Sequence, residues 1–461
     1  MFLRTLTLVD YANFEHMEFN FFNELIPSRK VTLLIGENGA GKSNVLEAIA
    51  TLLSWFVARL RSEKASGNPI LERKIRLGKP AAFLEVSVHC EEKDFAWHLV
   101  KTRKGQRTSR ESSLKGASAL ATIFAERYTN NPGTTSLPMI AYYPAERYLL
   151  DIPKRVVTHH EFLPIDGYEE SITKGIDFRR FFEWFRNWDD AKNELISDIS
   201  SYLPYLEPSK LRGGSLYGAI NKEKLQKENP ELAEKFEFAF SKQFTSVLKA
   251  IMTFLPGYSN LRVTRRPRLQ MCIDKDGKTF DILQLSQGER SLLALVADIA
   301  YRLAIMNPTS EDPLHGKGIV LIDEIDLHLH PRWQRSVIRN LQTTFPNCQF
   351  IITTHSPLVV SDPQEVQVFL LEEGSTRELD NLYGMDIEQV LFEIMDTPLR
   401  HEPLQEKLND LMDAIQDKKF NKAKKLRNEL LQVLPKDHRE LMRADIFLRR
   451  MEALNAAHRE A

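Results

Sequence analysis

Apolar residues recur along this chain in two periods. Near the start they are spaced as in strands: Leu3, Leu6 and Leu8, then Phe14, Met17 and Phe19. A continuous run, Val31–Ile35, follows, and its β-branched character predicts a strand buried on both faces. After a glycine-rich turn the pattern changes to a helix from about Ser43 to Arg61. Ala82–His89 alternates again, and Met139–Tyr143 predicts a strand that stops at Pro144. Residues 62–80 and 101–117 are polar, basic and rich in Ser and Gly, which predicts exposed loops.

From about 155 to 258 the period is helical. Phe178, Phe181, Phe182 and Phe185 mark one face, and Leu232, Phe236, Phe240, Phe244, Leu248 and Ile251 mark another. No heptad is sustained, so the segment reads as a compact helical insert and not a coiled-coil arm. Phe178–Trp188 interleaves arginines with aromatics, which suits base stacking in principle, but the i, i+3, i+4, i+7 spacing favours a helix core. Strands return over 261–283, around Lys275-Asp276-Gly277. A helix (291–306), a strand (Gly318–Ile322), a helix (331–344) and a strand (349–353) follow, an alternation that implies a parallel sheet. The last stretch, 384–461, is amphipathic helix interrupted near Pro398, Pro403 and Pro435. Its apolar residues (Phe392, Leu408, Leu411, Ile415, Leu426, Leu430) serve either an oligomer or partner surface or packing onto the rest of the chain.

Composition then narrows the class. The 461 residues are 43% hydrophobic, enough to bury a large core without disulfide staples. Lys plus Arg number 62 against 63 acidic residues, so no global positive field gathers a polyanion. Nucleic-acid contact would need local patches. Arg59–Lys79 carries seven basic residues against two acidic, Lys101–Lys115 six against one, and Arg262, Arg265, Arg266 and Arg268 form a third cluster. DNA or RNA backbones suit these loops, as does plain solvation. Cys90, Cys272 and Cys348 lie far apart, which excludes a disulfide scaffold and fits a reducing cytoplasm. Leu46–Leu60 contains Glu47 and Arg59, and Ser291–Met306 contains Asp298 and Arg302; neither suits hydrocarbon, where about 20 apolar residues are needed. The expectation is a soluble cytoplasmic protein with no membrane partner.

Chemistry enters with Gly36-Glu37-Asn38-Gly39-Ala40-Gly41-Lys42-Ser43, a complete G-x-x-x-x-G-K-[ST] loop between a predicted strand and a predicted helix. The glycines let backbone N–H groups turn inward, and the helix N-terminus adds positive potential for phosphate. Lys42 reaches the β- and γ-phosphates in such a loop, Ser43 ligates Mg²⁺, and Asn44 extends the nucleotide contacts. The apolar run ending at Ile322 is followed by Asp323 and Glu324. An acid at a strand end holds Mg²⁺ in nucleotide hydrolases, and its neighbour polarises water; Asp323 takes the first role and Glu324 that of general base. Asp326, His328 and His330 also invite a transition-metal reading, but alternate loop positions need not converge.

Leu285-Ser286-Gln287-Gly288-Glu289-Arg290 alone is a capped helix start. Taken with the phosphate loop and the acid pair it resembles the signature motif of the ATP-binding-cassette ATPases. The resemblance continues through Ile325-Asp326-Leu327-His328-Leu329-His330-Pro331 as the D-loop and Thr354-His355-Ser356 as the switch histidine. It implies an α/β cassette head, a mixed sheet with a RecA-like core, carrying a helical insert and a helical C-terminal tail. The division would be 1–154 (first lobe), 155–260 (insert), 261–380 (signature, acid pair, D-loop and switch) and 381–461 (tail). It further implies ATP and Mg²⁺ as ligands, catalytic roles for Glu324 and His355, and a homodimer or higher oligomer. In that dimer Ser286, Gln287, Gly288 and Glu289 of one copy face the triphosphate on the other copy's loop. One departure stands out: where the family carries its Q-loop glutamine, Ala141-Tyr142-Tyr143-Pro144-Ala145-Glu146-Arg147 has none.

The opening Phe2-Leu3-Arg4-Thr5-Leu6-Thr7-Leu8, with Asn13-Phe14, resembles RecF-type and overcoming-lysogenization-defect-type ATPases. No Asp-x-Asp pair follows His355, so a fused Toprim nuclease is not expected. Tyr143–Arg147, Asp323–Pro331 and Tyr383-Gly384-Met385-Asp386 are most similar to the PtuA family of the Septu antiphage system, also found beside retrons. That resemblance implies a separate HNH nuclease partner and no nuclease site on this chain. A RecF-like repair clamp and an ATP-sensing scaffold with little hydrolysis remain the alternatives.

Overall fold

The computed structural model describes residues 1–22, 29–146, 162–173, 175–202, 229–239, 241–266, 268–379, 382–395, 402–435 and 438–460. They form two compact units, Met1–Gly384 and Met385–Ala461. In the first unit the strands are β1 (Phe2–Tyr11), β2 (Phe14–Asn20), β3 (Val31–Gly36), β4 (Ala81–Cys90), β5 (Lys93–Thr102), β6 (Met139–Tyr143), β7 (Tyr258–Thr264), β8 (Gln270–Lys275), β9 (Lys278–Asp281), β10 (Gly318–Ile322), β11 (Cys348–Thr353), β12 (Val366–Glu372) and β13 (Ser375–Leu379). Its helices are α1 (Lys42–Arg61), α2 (Lys115–Asn130), α3 (Phe178–Tyr202), α4 (Pro230–Ala239), α5 (Lys242–Phe254), α6 (Gln287–Met306), α7 (Pro331–Thr344) and the short α8 (Pro357–Ser361).

The architecture is α/β. The central six-stranded sheet runs β13-β12-β3-β11-β10-β6. All its neighbours pair in parallel except β12 and β13. β3, β10 and β11 are almost wholly buried, which is why they read as unbroken apolar runs and not as alternation. An antiparallel sheet, β2-β1-β4-β5, and a small one, β7-β8-β9, complete the strands. β4 alternates half-buried and buried positions along its length, as its sequence predicts. Helix α1 is long and apolar enough to cross a membrane by length and composition. Here Leu46, Ile49, Leu52, Leu53 and Phe56 are fully buried, and the helix packs against α2 and strands of both larger sheets.

Several boundaries differ from the expectation. The signature helix begins at Gln287, one turn before 291, because Ser286 and Glu289 form a reciprocal capping box. The face predicted from Leu232 to Ile251 is divided between α4 and α5; Phe240 lies outside the described residues. β5 carries no clean alternation and exists by pairing with β4 along its full length. The aromatic row of α3 is core: Phe178, Phe181, Phe182 and Phe185 are at most 1% exposed. Phe244 stacks on Trp184 at 3.8 Å and on Trp188 at 4.4 Å, so these rings are not available to bases.

In the second unit, α9 (Glu402–Gln416), α10 (Phe420–Leu431) and α11 (Arg439–Glu460) share a core of their own. Leu408, Leu411, Ile415 and Leu430 lie in it, with Leu426 packed against it, so these residues cover one another. Much of the apolar stripe is thus covered within the unit itself, while Phe392 remains 64% exposed. Pro403 sits in the first turn of α9 and starts that helix where an interruption was expected. Pro398 lies outside the described residues.

One buried polar cluster ties the first unit together. Asp298 on α6, fully buried, accepts from Tyr143 Oη at 2.8 Å, Arg302 Nε at 2.7 Å and the backbone N–H of Asp177 at 3.3 Å. Arg302 Nη1 also donates to the carbonyls of Gly167 (2.7 Å) and Glu169 (2.9 Å). Burial alone would lower the Arg302 pKa, but Asp298 overrides it and the net shift is upward. Asp298→Ala would strand a buried guanidinium, so we expect a loss of about 3–5 kcal/mol in urea unfolding. The double variant Asp298→Leu with Arg302→Met should lose less than either single change.

Candidate nucleotide site

The phosphate loop leaves β3 and enters α1. Gly41 caps that helix in the left-handed region (φ 102°), and a Cβ there would fall 2.4 Å from Phe14 Cζ. The β1–β2 turn thus presses on the loop, and Asn13 Nδ2 donates to the Ala40 carbonyl at 3.0 Å. Asn44 Nδ2 donates in turn to Asn13 Oδ1 at 3.4 Å, and Asn44 Oδ1 accepts from Lys74 Nζ at 2.7 Å. Glu37, Asn38 and Gly39 stand exposed at the rim, while Ala40 and Gly41 are buried. Lys42 is only 6% exposed and donates from Nζ to the carbonyls of Gly36 and Glu37, both at 2.8 Å. Burial lowers its pKa, and the acids Asp323, Glu324 and Asp326 oppose that shift.

Asp323 sits at the end of β10, 4% exposed. Its Oδ1 accepts from Ser43 Oγ at 3.1 Å and from Thr353 Oγ1 at 2.6 Å. Thr353 Oγ1 accepts in turn from the backbone N–H of Glu324 at 2.7 Å. Glu324 itself adopts φ 47°, an uncommon backbone for a side chain of this size, which turns the chain out of the strand. Asp326 Oδ1 receives the Thr354 hydroxyl and the His355 N–H (3.3 Å), so the D-loop anchors the switch turn. The exposed His355 ring has its pKa lowered by partial burial and by Lys42, against the pull of Asp326, Glu324 and Asp323.

The donor set fits a hard cation. Ser43 Oγ and the Asp323 carboxylate already meet, and oxygen ligands of this kind, completed by phosphate and water, suit Mg²⁺. A bound Mg²⁺ would neutralise charge on the β- and γ-phosphates. His330 does not join a metal cluster: its Nδ1 accepts from Arg332 N–H at 3.2 Å and caps α7.

The signature element lies elsewhere on the chain. Ser286 and Gln287 are exposed, and Gly288 packs on the D-loop. A Cβ on Gly288 would come within 2.3 Å of the His328 carbonyl oxygen, so only glycine permits this approach. Ser286 and Glu289 line an open groove of about 890 Å³ with His330, Arg332 and Trp333, and no residue of 36–43 contributes to its wall. The chain therefore carries two separate surfaces, a phosphate cradle and a serine-tipped helix.

Three contributors were not evident in the sequence. Thr353 reads as the last residue of a strand, Asn13 as part of a turn, and Tyr258 as an ordinary strand residue. Each gains its contact only through pairing: Thr353 with Asp323, Asn13 with the phosphate loop and Tyr258 with Glu289. The basic loops, by contrast, are partly neutralised. Lys74 pairs with Glu47, Arg76 with Glu15, Lys79 with Asp10, Arg262 with Asp274, and Arg265 with Asp190. Arg61, Lys64, Arg73, Lys104 and Arg107 remain exposed. At the missing Q-loop glutamine, Glu146 is exposed and Arg147 lies outside the described residues.

Glycine loop, paired oxygen donors and a turned-out second acid together define a P-loop nucleotide site of the cassette kind. Comparison with known proteins agrees. An "AAA domain" model matches residues 5–243, and a second, described as "AAA domain, putative AbiEii toxin, Type IV TA system", matches 147–361. The "Retron Vc95 probable ATPase" of Vibrio cholerae is 33% identical over 421 residues, spanning 87% of this chain and 80% of that relative. The "Retron Ec83 probable ATPase" of Escherichia coli is 35% identical over 390 residues, 80% and 71% of the two chains. "Septu protein PtuA" of Bacillus mycoides is 38% identical over a shorter stretch of 113 residues, 23% and 15%. The chain belongs to the family of retron ATPases, related to PtuA, and the cassette resemblance read from its motifs is borne out.

Lys42→Ala removes the one buried cation of the loop and leaves the Gly36 and Glu37 carbonyls without it. Calorimetric titration with ATP should show no measurable binding, against clear saturation for the unaltered chain.

Proposed function

We propose that this protein is an ATP-hydrolysing switch whose two copies close around ATP, and that closure governs a separate HNH-type nuclease in retron or Septu-type antiphage defence. One observation carries the reading: the phosphate cradle and the signature helix occupy different places on one chain, and the signature groove takes no wall from residues 36–43. A triphosphate held by Lys42 and Ser43 would meet Ser286 and the N–H groups at the start of α6 from the second copy. A helix N-terminus attracts an anion there, and the hydroxyl adds a donor.

Within the cradle the residues divide the work. Lys42 binds the phosphates, and Asp323 with Ser43 would hold Mg²⁺. Glu324 accepts a proton from the attacking water, positioned by the Thr353 bond to its backbone. His355, on a turn fixed by Asp326 and within electrostatic reach of Lys42, would meet the γ-phosphate. Loss of that phosphate removes the anion shared by the copies and lets them part. The retron relatives are ATPases by name, and PtuA is a Septu protein by name. These names support placing the switch in such a system, where the cutting chemistry sits on the partner and the exposed part of the basic loops meets DNA or RNA.

Glu324→Gln should bind ATP normally and hydrolyse it about a hundredfold or more slowly, the usual contribution of a general base; unchanged turnover in a phosphate-release assay would remove Glu324 from that role. Ser286→Arg should bind ATP yet give no ATP-dependent dimer in light scattering, and a dimer that survives would defeat the shared site. A native pull-down should bring down an HNH protein; replication-repair proteins instead would favour a RecF-like clamp.

A further inference from the structure

The signature serine is not poised on its own. Its backbone N–H and its hydroxyl both donate to Glu289 Oε2, at 2.9 and 2.8 Å. The other oxygen, Oε1, is taken from outside the helix: Tyr258 Oη on β7 donates to it, and Lys275 Nζ on β8 lies 3.2 Å away. Lys275 also donates to Tyr258 Oη at 2.9 Å and rests 4.6 Å over that ring. Thus one carboxylate is divided, half for Ser286 and half for the small β-sheet. Burial would raise the Glu289 pKa, but the bonds from Tyr258, Ser286 and Lys275 outweigh it and hold the carboxyl at about 2. The group is therefore an anion at neutral pH, hydrogen-bonded directly to the serine that the shared-site reading sets against phosphate.

An anion in that place has two effects of opposite sign. It orients Ser286, and it repels the charge that Ser286 is meant to receive. An ion pair as exposed as Lys275 with Glu289 adds little to stability, since the Lys275 side chain is 39% exposed. Its consequence lies in the local potential. From this geometry, and resting on the shared-site reading above, we infer that Lys275 and Tyr258 are positioning residues for the signature helix. They draw the Glu289 charge toward β7 and β8 and offset it, so that Ser286 stays oriented while the approach of a triphosphate is not opposed. Lys275 lines the same groove as Ser286, which places its charge on the side where the anion arrives.

The test uses the full-length chain and ATP. Lys275→Met should raise the ATP concentration for half-maximal dimerisation and the KM for hydrolysis about tenfold, equivalent to about 1.4 kcal/mol, with kcat changed less than twofold. Lys275→Arg should recover most of the loss. Adding Glu289→Gln to Lys275→Met should also recover it, because the amide oxygen still accepts from Ser286 while the uncompensated charge is gone. A structural role would lower the melting temperature and would not be rescued by neutralising Glu289. If Lys275→Met folds poorly, Tyr258→Phe, which removes only the hydroxyl, should shift KM about threefold in the same direction. Unchanged ATP dependence in these variants, or a double variant no better than Lys275→Met, overturns the inference. Ser286→Arg separates the two failures. Should it block dimerisation while the Lys275 and Tyr258 variants behave normally, only this inference falls; should it leave the dimer intact, the shared-site reading falls and this one with it.

Discussion

A single carboxylate oxygen, Asp323 Oδ1, is the point on which the nucleotide site turns. It accepts the Ser43 hydroxyl from the start of α1 and the Thr353 hydroxyl from the end of β11. Three elements from distant parts of the chain, β10, α1 and β11, therefore meet at one atom. In a buried position such charge-assisted bonds are strong and short-range, so small shifts of any element are felt by the others. Thr353 passes the constraint to the backbone of Glu324, whose unusual φ re-aims the next acid out of the strand. Asp323 and Glu324 are thus held in fixed relation by one threonine.

The same strand end is tied backward into the fold. The Asp323 N–H donates to the Tyr143 carbonyl at 2.8 Å, and the Tyr143 hydroxyl donates to Asp298 in the middle of α6. Since α6 begins with the signature, a continuous run of buried bonds joins the cradle's acid to the helix that carries Ser286. Arg302 extends that run to the carbonyls of Gly167 and Glu169. A buried network of this kind is stabilising only when every member is satisfied, and this one is closed by backbone groups at both ends. It joins the end of β10, the middle of α6 and the backbone at 167–169 through buried hydrogen bonds.

The second unit stands apart in its energetics. Its three helices bury their apolar stripes in one another, around Leu411, Ala423 and Ala444. Such self-sufficiency explains why an amphipathic pattern alone could not say what the stripe covers: periodicity reports that a face is buried, not against which neighbour. The basic loops teach a similar lesson. Counted along the chain they look like polyanion sites, but several of their charges meet carboxylates that are distant in sequence.

The chain alone determined the features set by local chemistry. The strand–glycine loop–helix, with Lys42 and Ser43, needs only backbone freedom and a helix start, and both are written in adjacent residues. The apolar run before Asp323 and the Ser286–Glu289 capping pair are local for the same reason, and together they led to the family. Tertiary structure decided whatever depends on partners far along the chain: Thr353 on Asp323, Asn13 on the phosphate loop, the Lys275–Tyr258 hold on Glu289, and Tyr143 on Asp298. Those contacts are set by strand order and helix packing, which no window of neighbouring residues contains. Hydrogen bonds act over about 3 Å, so until the sheets assemble these side chains have no means of showing what they do.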